Sequence, residues 1–236
     1  GTAQPFDAPR GGLHAGLYLM NPEIKIAEPQ FPGAALSVET PDLLAREEEV
    51  SGRAFRGGDI SGLACDHLAV TGCSFTGCRL SGVVWRHAHL ADVVFRNCDL
   101  SVADLTGAGL FRVRFIDCRL SGASLSEASL QHVAAERCRA EYAGFAQSRM
   151  WHVHFAGCDL SGGAFAECRF EQVAFSECRL AGAEFFGTRL RGISLADSDI
   201  RGIRIREISS VELNGLKVNA LQACDLARLL GIEIEG

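Results

Sequence analysis

The sequence predicts an all-β solenoid, in which short parallel strands wind into a coil with four sides to a turn. Two nested periods, and the places where they stop, carry that prediction. From Phe55 to Ile205 every fifth residue is apolar, thirty-one positions in a row, beginning Phe55, Ile60, Cys65, Val70 and Phe75. A period of five fits neither the 3.6 of a helix nor the 2 of a flat strand, so the backbone must turn a corner once per pentad. The second period is twenty. Positions 78, 98, 118, 138, 158 and 178 are all Cys and 198 is Ser, while a neighbouring column reads Val93, Val113, Val133, Val153, Val173 and Ile193. Four pentads therefore close one coil. From Cys73 onward the residue two before each centre is small or β-branched, as in Cys98-Asp99-Leu100 and Ala103-Asp104-Leu105, so two of every five side chains point inward.

These triplets resemble the motif of the pentapeptide-repeat family, Ala-(Asp/Asn)-Leu-x-x, and the resemblance spans residues 51–210. It implies a right-handed quadrilateral parallel β-helix. The handedness comes from the resemblance, because the spacing sets only the number of sides. Strands stacked about 4.8 Å apart make about eight coils into a rod of roughly 35 to 40 Å.

Segments without the pentad flank the rod. Residues 1–50 form an N-terminal extension in which Leu17-Tyr18-Leu19-Met20 reads as a short strand. Thr40 as N-cap, Pro41 at the first helical position and Asp42 in the first turn start a short helix over about 41–50. Residues 211–236 form a C-terminal cap and tail: Asn219 caps a helix from Ala220 to Leu230 that Gly231 ends. Leu226, Leu229 and Leu230 give that helix an apolar side for the last coil. An open end would expose the apolar interior and a row of unpaired strand edges. The closing Leu229-Leu230-Gly231-Ile232-Glu233-Ile234 resembles the ends of the quinolone-resistance members of the family, which implies a homodimer through this segment.

Charge divides by region. The whole chain carries −6, yet residues 51–210 hold 18 Arg against 17 Asp and Glu, so the acidity belongs to the two ends. No run approaches the roughly 18 apolar residues of a membrane span, and no basic stretch followed by an apolar one opens the sequence as in a signal peptide. Six of the ten cysteines are the inward column, where free Cys fills space as a compact hydrophobe. Side chains stacked in parallel suit a disulfide poorly, and a straight ladder does not converge on a metal. So many unpaired thiols point to a reducing, cytoplasmic setting.

A filled rod has no concavity in which polar groups could converge, so no enzyme activity, cofactor or metal is expected. The column Ser61, Ser81, Ser101, Ser121 and Ser161, followed by glycine at Gly62, Gly82, Gly122 and Gly162, is corner chemistry rather than a row of nucleophiles. That leaves the outer surface. On the face built from the pentads centred on Leu90, Leu110, Leu130, Met150, Phe170 and Leu190, one column includes Phe111, Gln131 and Trp151. Arg112, His132, His152, Arg149, Arg169, Arg189 and Arg191 surround it. Aromatic residues and Arg are enriched in interface hot spots, so this is the candidate partner-binding face. Phe186 and Tyr142 are outward aromatics on other faces.

The expected function is that of a non-catalytic rigid solenoid acting as a protein–protein interaction module. The resemblance implies an alternative, a DNA gyrase or topoisomerase partner bound by DNA mimicry, conferring resistance or self-immunity to gyrase inhibitors. Mimicry needs a continuous negative surface. Here Asp104, Glu127, Glu167 and Glu184 share a face that Arg86, Arg204 and Arg206 interrupt. The register also carries no insertion where the quinolone-resistance relatives project loops. Direct nucleic-acid binding is disfavoured by the net acidic chain.

Overall fold

Stacking begins before the first pentad. The computed structural model describes residues 24–32, 37–39, 41–206, 212–229 and 231–234. Strands β1 (Ser37–Glu39), β2 (Glu49–Ser51), β3 (Arg53–Arg56), β4 (Ala69–Thr71) and β5 (Ser74–Thr76) form the first coils. The longer β6 (His89–Arg96), β7 (Gly109–Ile116), β8 (Ser129–Glu136), β9 (Arg149–Ala156) and β10 (Arg169–Ser176) each run around a corner. All pairs are parallel, and from β2 onward partners stand twenty residues apart, as in Leu90↔Leu110, Leu110↔Leu130, Leu130↔Met150 and Met150↔Phe170. The two remaining sides carry single bridges with the same step, such as Asp99↔Arg119 and Asp104↔Ser124. Eight rungs from Phe55 to Leu195 make seven steps, or about 34 Å of rod.

The expected helix over 41–50 is replaced by a five-residue 3-10 turn, Pro41–Ala45, and Glu49–Ser51 is a strand paired to β4. Val50 drops into the interior beside Val70, and Leu44 is also fully enclosed. Burying those two apolar side chains outweighs the modest helix preference of Glu47, Glu48 and Glu49. β1 pairs β3 with a step of sixteen, Ser37↔Arg53, so the ladder already runs through part of the N-terminal extension. At the other end the hydrogen bonding continues past 210, with Leu190 N–H donating to Glu212 and Leu195 N–H to Lys217. The strand expected at Leu17–Met20 lies outside the described residues, as do Leu230 and the side chain of Leu229.

Among the described residues every corner but that at Asp197 uses the same device. Two residues after the pentad centre the backbone enters the left-handed region, at glycines such as Gly62 and at sixteen residues that are not glycine. On two sides a hydrogen bond of the turn type closes the corner, as in Ala103 N–H to Leu100 and Ala108 N–H to Leu105. Large corner side chains lean over the next coil: a Cβ built on Gly162 would lie 2.6 Å from the Tyr142 ring, and one on Gly122 3.2 Å from Val102.

The interior is filled without a lumen. Phe55, Phe75, Phe95 and Phe115 stack along one column with centroids 4.7, 4.8 and 5.1 Å apart, and Phe145, Phe165 and Phe185 along another at 4.8 and 5.1 Å. Such pairs add about 0.5 to 1.5 kcal/mol each beyond their burial. All ten cysteines are free, and the column from Cys78 to Cys178 is buried. The thiols also donate: Cys158 Sγ reaches the Ala135 carbonyl at 3.3 Å and Cys178 Sγ the Phe155 carbonyl at 3.3 Å. Ser198 takes over the column by accepting from Cys178 N–H at 3.1 Å.

Helix α1 (Ala220–Leu229) closes the last coil. Asn219 and Gln222 form a reciprocal capping box, each backbone N–H donating to the other's side-chain oxygen at 2.9 Å. Gln222 Nε2 then donates to the carbonyls of Leu195 (2.9 Å) and Ser198 (2.7 Å), and Asn219 Nδ2 to that of Ala196 (2.9 Å). Leu213, Leu216, Val218 and Leu226 pack against the core from the same side.

Candidate partner-binding face

Side chains alternate across a strand, so the residues on either side of each buried centre point outward. On the face formed by the first halves of β6 to β10, this places Phe111, Gln131 and Trp151 in one column, in register. Arg149 and Arg169 pair in the column beside it, and Arg189 follows by the same step of twenty. The corner column is Asp92, Arg112, His132, His152 and Gln172, all with positive φ.

The sequence brings these residues together as expected, but their availability differs. Phe111 is half-buried beneath the Arg112 guanidinium, 4.2 Å from the ring centre. Arg112 itself is committed to Asp92 by two hydrogen bonds of 2.6 Å, and it holds the Asp92 carboxyl below the usual range. His132 stacks on His152 at 4.7 Å, and Trp151 packs against both at 5.5 and 4.7 Å. Burial, helped by the charges of His152 and Arg112, pushes the His132 imidazole below its ordinary pKa. Trp151 keeps 40% of its surface exposed, and Arg149, Arg169, Arg189 and Arg191 are exposed around it.

Residues 24–32 run along this corner as a strap that sequence reasoning did not place. Gln30 N–H donates to Asp92 Oδ1 at 2.8 Å, Ala27 N–H to His132 Nδ1 at 3.3 Å, and Glu28 meets Arg114 at 2.5 Å. Pro32 packs over Gly72. At the other end of the strap a shallow pocket is lined by Ile24, Phe170, Gln172, Val173, Arg191 and Ile193. The strap thus follows the corner column from Asp92 past His132 to Gln172, and among the described residues it leaves Trp151 and Arg149, on the flat of the face beside it, exposed. Leu226 sits on the core as a cap residue, whereas Leu221, Ile232 and Ile234 are exposed near the C-terminus.

The other sides carry balanced charge. Asp104, Glu184 and Glu167 are ion-paired to Arg86, Arg204 and Arg206, the residues that interrupt them in the sequence. On the side opposite the Trp151 face one column reads Asp59, Arg79, Asp99, Arg119, Arg139, Asp159, Arg179, Asp199. Among the described residues no group of side chains is arranged to hold a metal ion, and no helix is long and apolar enough to cross a membrane.

Fold and surface together define a filled parallel β-solenoid. The chain belongs to the pentapeptide-repeat family: the pentapeptide repeat region model matches residues 92–163 and 136–205, and the eight-copy pentapeptide repeats model matches 73–110. No curated protein matches the chain. Among solved structures it is similar to a trypsin-treated form of QnrB1, a plasmid-mediated fluoroquinolone resistance protein, at 25% identity over 80% of this chain and 92% of that one, with a TM-score of 0.46. Full-length QnrB1 gives 24% identity over 78% and 90%, with a TM-score of 0.44. A pentapeptide repeat protein of the Arabidopsis thaliana thylakoid lumen is 21% identical over 41% of this chain and 67% of that one, with a TM-score of 0.39.

Proposed function

We propose that the chain is a rigid, non-catalytic interaction module of the cytoplasm that binds a protein partner through the Trp151 face. The observation that carries this reading is Trp151 itself, 40% exposed, with exposed Arg149 on its own strand, Arg169 on the next, and Glu171 between it and Arg191 along its column. A large aromatic held partly in water contributes little to the rod's own stability and matches the residue types that anchor interfaces. Of the ten site residues expected from sequence, Trp151, Arg149, Arg169, Arg189 and Arg191 contact the partner, while Phe111, Arg112, Gln131, His132 and His152 hold the surface in shape. The test is to identify partners of the intact chain by crosslinking and then to repeat the experiment with Trp151→Ala. Loss of a partner from the variant, with unchanged melting, supports the reading; an unchanged partner set removes this face.

DNA mimicry toward gyrase fits the surface less well, because Asp104, Glu184 and Glu167 are paired to arginines, leaving Glu127 as the one acid of the four without an ion pair among the described residues. Duplex DNA presents one uncompensated charge per about 1.7 Å. The expected outcome is that the chain neither inhibits gyrase supercoiling nor rescues it from a fluoroquinolone. Exposed Leu221, Ile232 and Ile234 are the residues through which a C-terminal homodimer would form, and light scattering of Leu221→Asp reads it directly.

A further inference from the structure

The ladder on the Trp151 face breaks between β10 and the coil above it. In five successive coils the residue before the pentad centre donates to the coil below, from His89 N–H to the Leu68 carbonyl up to Arg169 N–H to that of Ser148. The next bond of the series, from Arg189 N–H to the Cys168 carbonyl, is not made, and β10 ends the path of described strands. The break is local. Cys168 N–H still donates to Thr188 Oγ1 at 2.8 Å, and two other sides run on through Arg179↔Asp199 and Glu184↔Arg204. Between those anchors the chain makes a turn closed by Ile193 N–H to Leu190, and the Leu190 and Gly192 N–H groups donate upward to Glu212 and Gly215.

A slot is left, and its backbone chemistry selects what can fill it. Neighbouring residues of a parallel strand bond to opposite sides, as Arg79 N–H donates to Gly58 and Leu80 N–H to Asp99; with Arg169 bonded to β9, Phe170 faces the slot. Among the described residues no hydrogen bond is made by the Cys168 carbonyl, the Phe170 N–H and carbonyl or the Gln172 N–H below, nor by the N–H and carbonyl of Arg189 and Arg191 above. Donors and acceptors thus alternate on both edges. A helix has its own backbone groups paired and a phosphate chain only accepts, whereas an extended peptide offers both in alternation. The cavity at the corner of the slot measures about 250 Å³, below the roughly 300 to 1,000 Å³ of a small-molecule pocket, and is lined by Phe170, Val173 and Ile193 with Ile24 beside them. It has the size and the lining for one large apolar side chain. A strand seated there would turn its neighbouring side chains outward, one of them between exposed Arg169 and Arg189. Arginines without an ion pair also stand on other sides, as at Arg119 and Arg139, so the open edge and not the charge locates the site.

We propose that the slot takes an extended segment of a protein partner as an added strand, with a large apolar side chain against Phe170 and Ile193 and a carboxylate between Arg169 and Arg189. This goes beyond the Trp151 reading, which concerns the flat surface one coil lower.

The test is amide exchange of the full chain with the blocked peptide Thr-Glu-Phe-Glu-Thr, which presents the same side chains in either chain direction. In the free chain the Phe170 and Gln172 amides should exchange about tenfold faster than those of Met150 and His152 on the paired rung below. Saturating peptide should slow both about tenfold, and the same peptide N-methylated at every second residue, which keeps the side chains and loses strand pairing, should bind about tenfold more weakly. Arg169→Glu with Arg189→Glu, both at exposed positions, should weaken the Glu peptide about tenfold and favour its Lys counterpart. Equal binding of the N-methylated peptide overturns the added strand, and equal binding of the Glu and Lys peptides by the parent overturns the acidic flank. Amides already protected without peptide mean that the chain itself or, if dilution exposes them, a second copy fills the slot, and either result overturns the partner. No change at Phe170 and Gln172 overturns the whole proposal and leaves the Trp151→Ala experiment unaffected.

Discussion

Gln222 is the side chain on which the closed end of the rod depends most. It is 8% exposed, takes one half of the capping box with Asn219, and donates to the carbonyls of Leu195 and Ser198. Gln222→Ala keeps the bond from its own backbone N–H to Asn219 Oδ1 but leaves the Asn219 N–H and the Ser198 carbonyl without a partner, at about 1 kcal/mol each, while the Leu195 carbonyl still accepts from Ser198 N–H. The expected loss is about 2 kcal/mol. In a solenoid each coil is stabilised chiefly by its neighbours, so the loss should appear first as fraying of the end rather than as global unfolding. Hydrogen exchange reads this residue by residue. The amides of Gly192 and Leu195, which donate to Gly215 and Lys217, should exchange about thirtyfold faster, since each 1.4 kcal/mol is tenfold. The amide of Leu120 in mid-rod should not change. Gln222→Glu sharpens the test: at neutral pH its carboxylate faces two carbonyls and should be no better than Ala, while protonation in acid restores one donor. Less than threefold acceleration at Gly192 and Leu195 in Gln222→Ala, or equal acceleration at Leu120, would refute this account of the cap.

Tyr142 and Val102 sit in the left-handed region at φ +59° and +51° while 76% and 62% exposed, so Tyr142→Gly and Val102→Gly should leave stability unchanged or raise it by up to about 1 kcal/mol in a thermal melt. Gly162→Ala should cost about 1 to 3 kcal/mol, and much of that should return when Tyr142→Gly is added. Eight of the ten thiols are buried, and burial pushes those of Cys73 and Cys168 above their ordinary pKa. Alkylation of the native chain at pH 8 should therefore reach Cys65 and Cys224 alone, with the rest labelled only in denaturant, as peptide mapping will show. The Ala27 contact should loosen in mild acid: neutral His132 accepts from Ala27 N–H, and burial with the His152 and Arg112 charges outweighs the Lys25 backbone, which favours the charged ring, so the neutral acceptor is present above about pH 6.5 and is lost as pH falls. Exchange at Ala27, corrected for intrinsic rate, should show less protection at pH 5 than at pH 7.5.

The rod could be read from sequence because each inward position tolerates few residue types, so Phe55 to Ile205 announces its own geometry. The period also predicted which outer residues are neighbours, which is why Phe111, His132, Trp151 and His152 were placed together correctly. What it could not show was commitment. Arg112 is held by Asp92, although the two lie twenty residues apart in one column and the signal was available. The first coil escaped because its step is sixteen rather than twenty and its corner is a 3-10 turn. The strap escaped for a different reason. Two of its anchors, at Ala27 and Gln30, are backbone N–H groups, and no side-chain pattern records where a backbone donor will land.

The lean of each corner side chain over the following coil makes the order of mutations matter. A bulky residue at position 142 is compatible with the fold only while position 162 is glycine, and the same holds for His87 above Gly107 and Glu167 above Gly187. Enlargement at 162 is closed to selection until 142 has first become small, whereas enlargement at 142 needs no earlier change beyond the glycine already there. Where a corner side chain leans over a glycine, the pair therefore changes in one order only, whereas a column of successive large residues such as Asp92, Arg112, His132, His152 and Gln172 carries no such restriction.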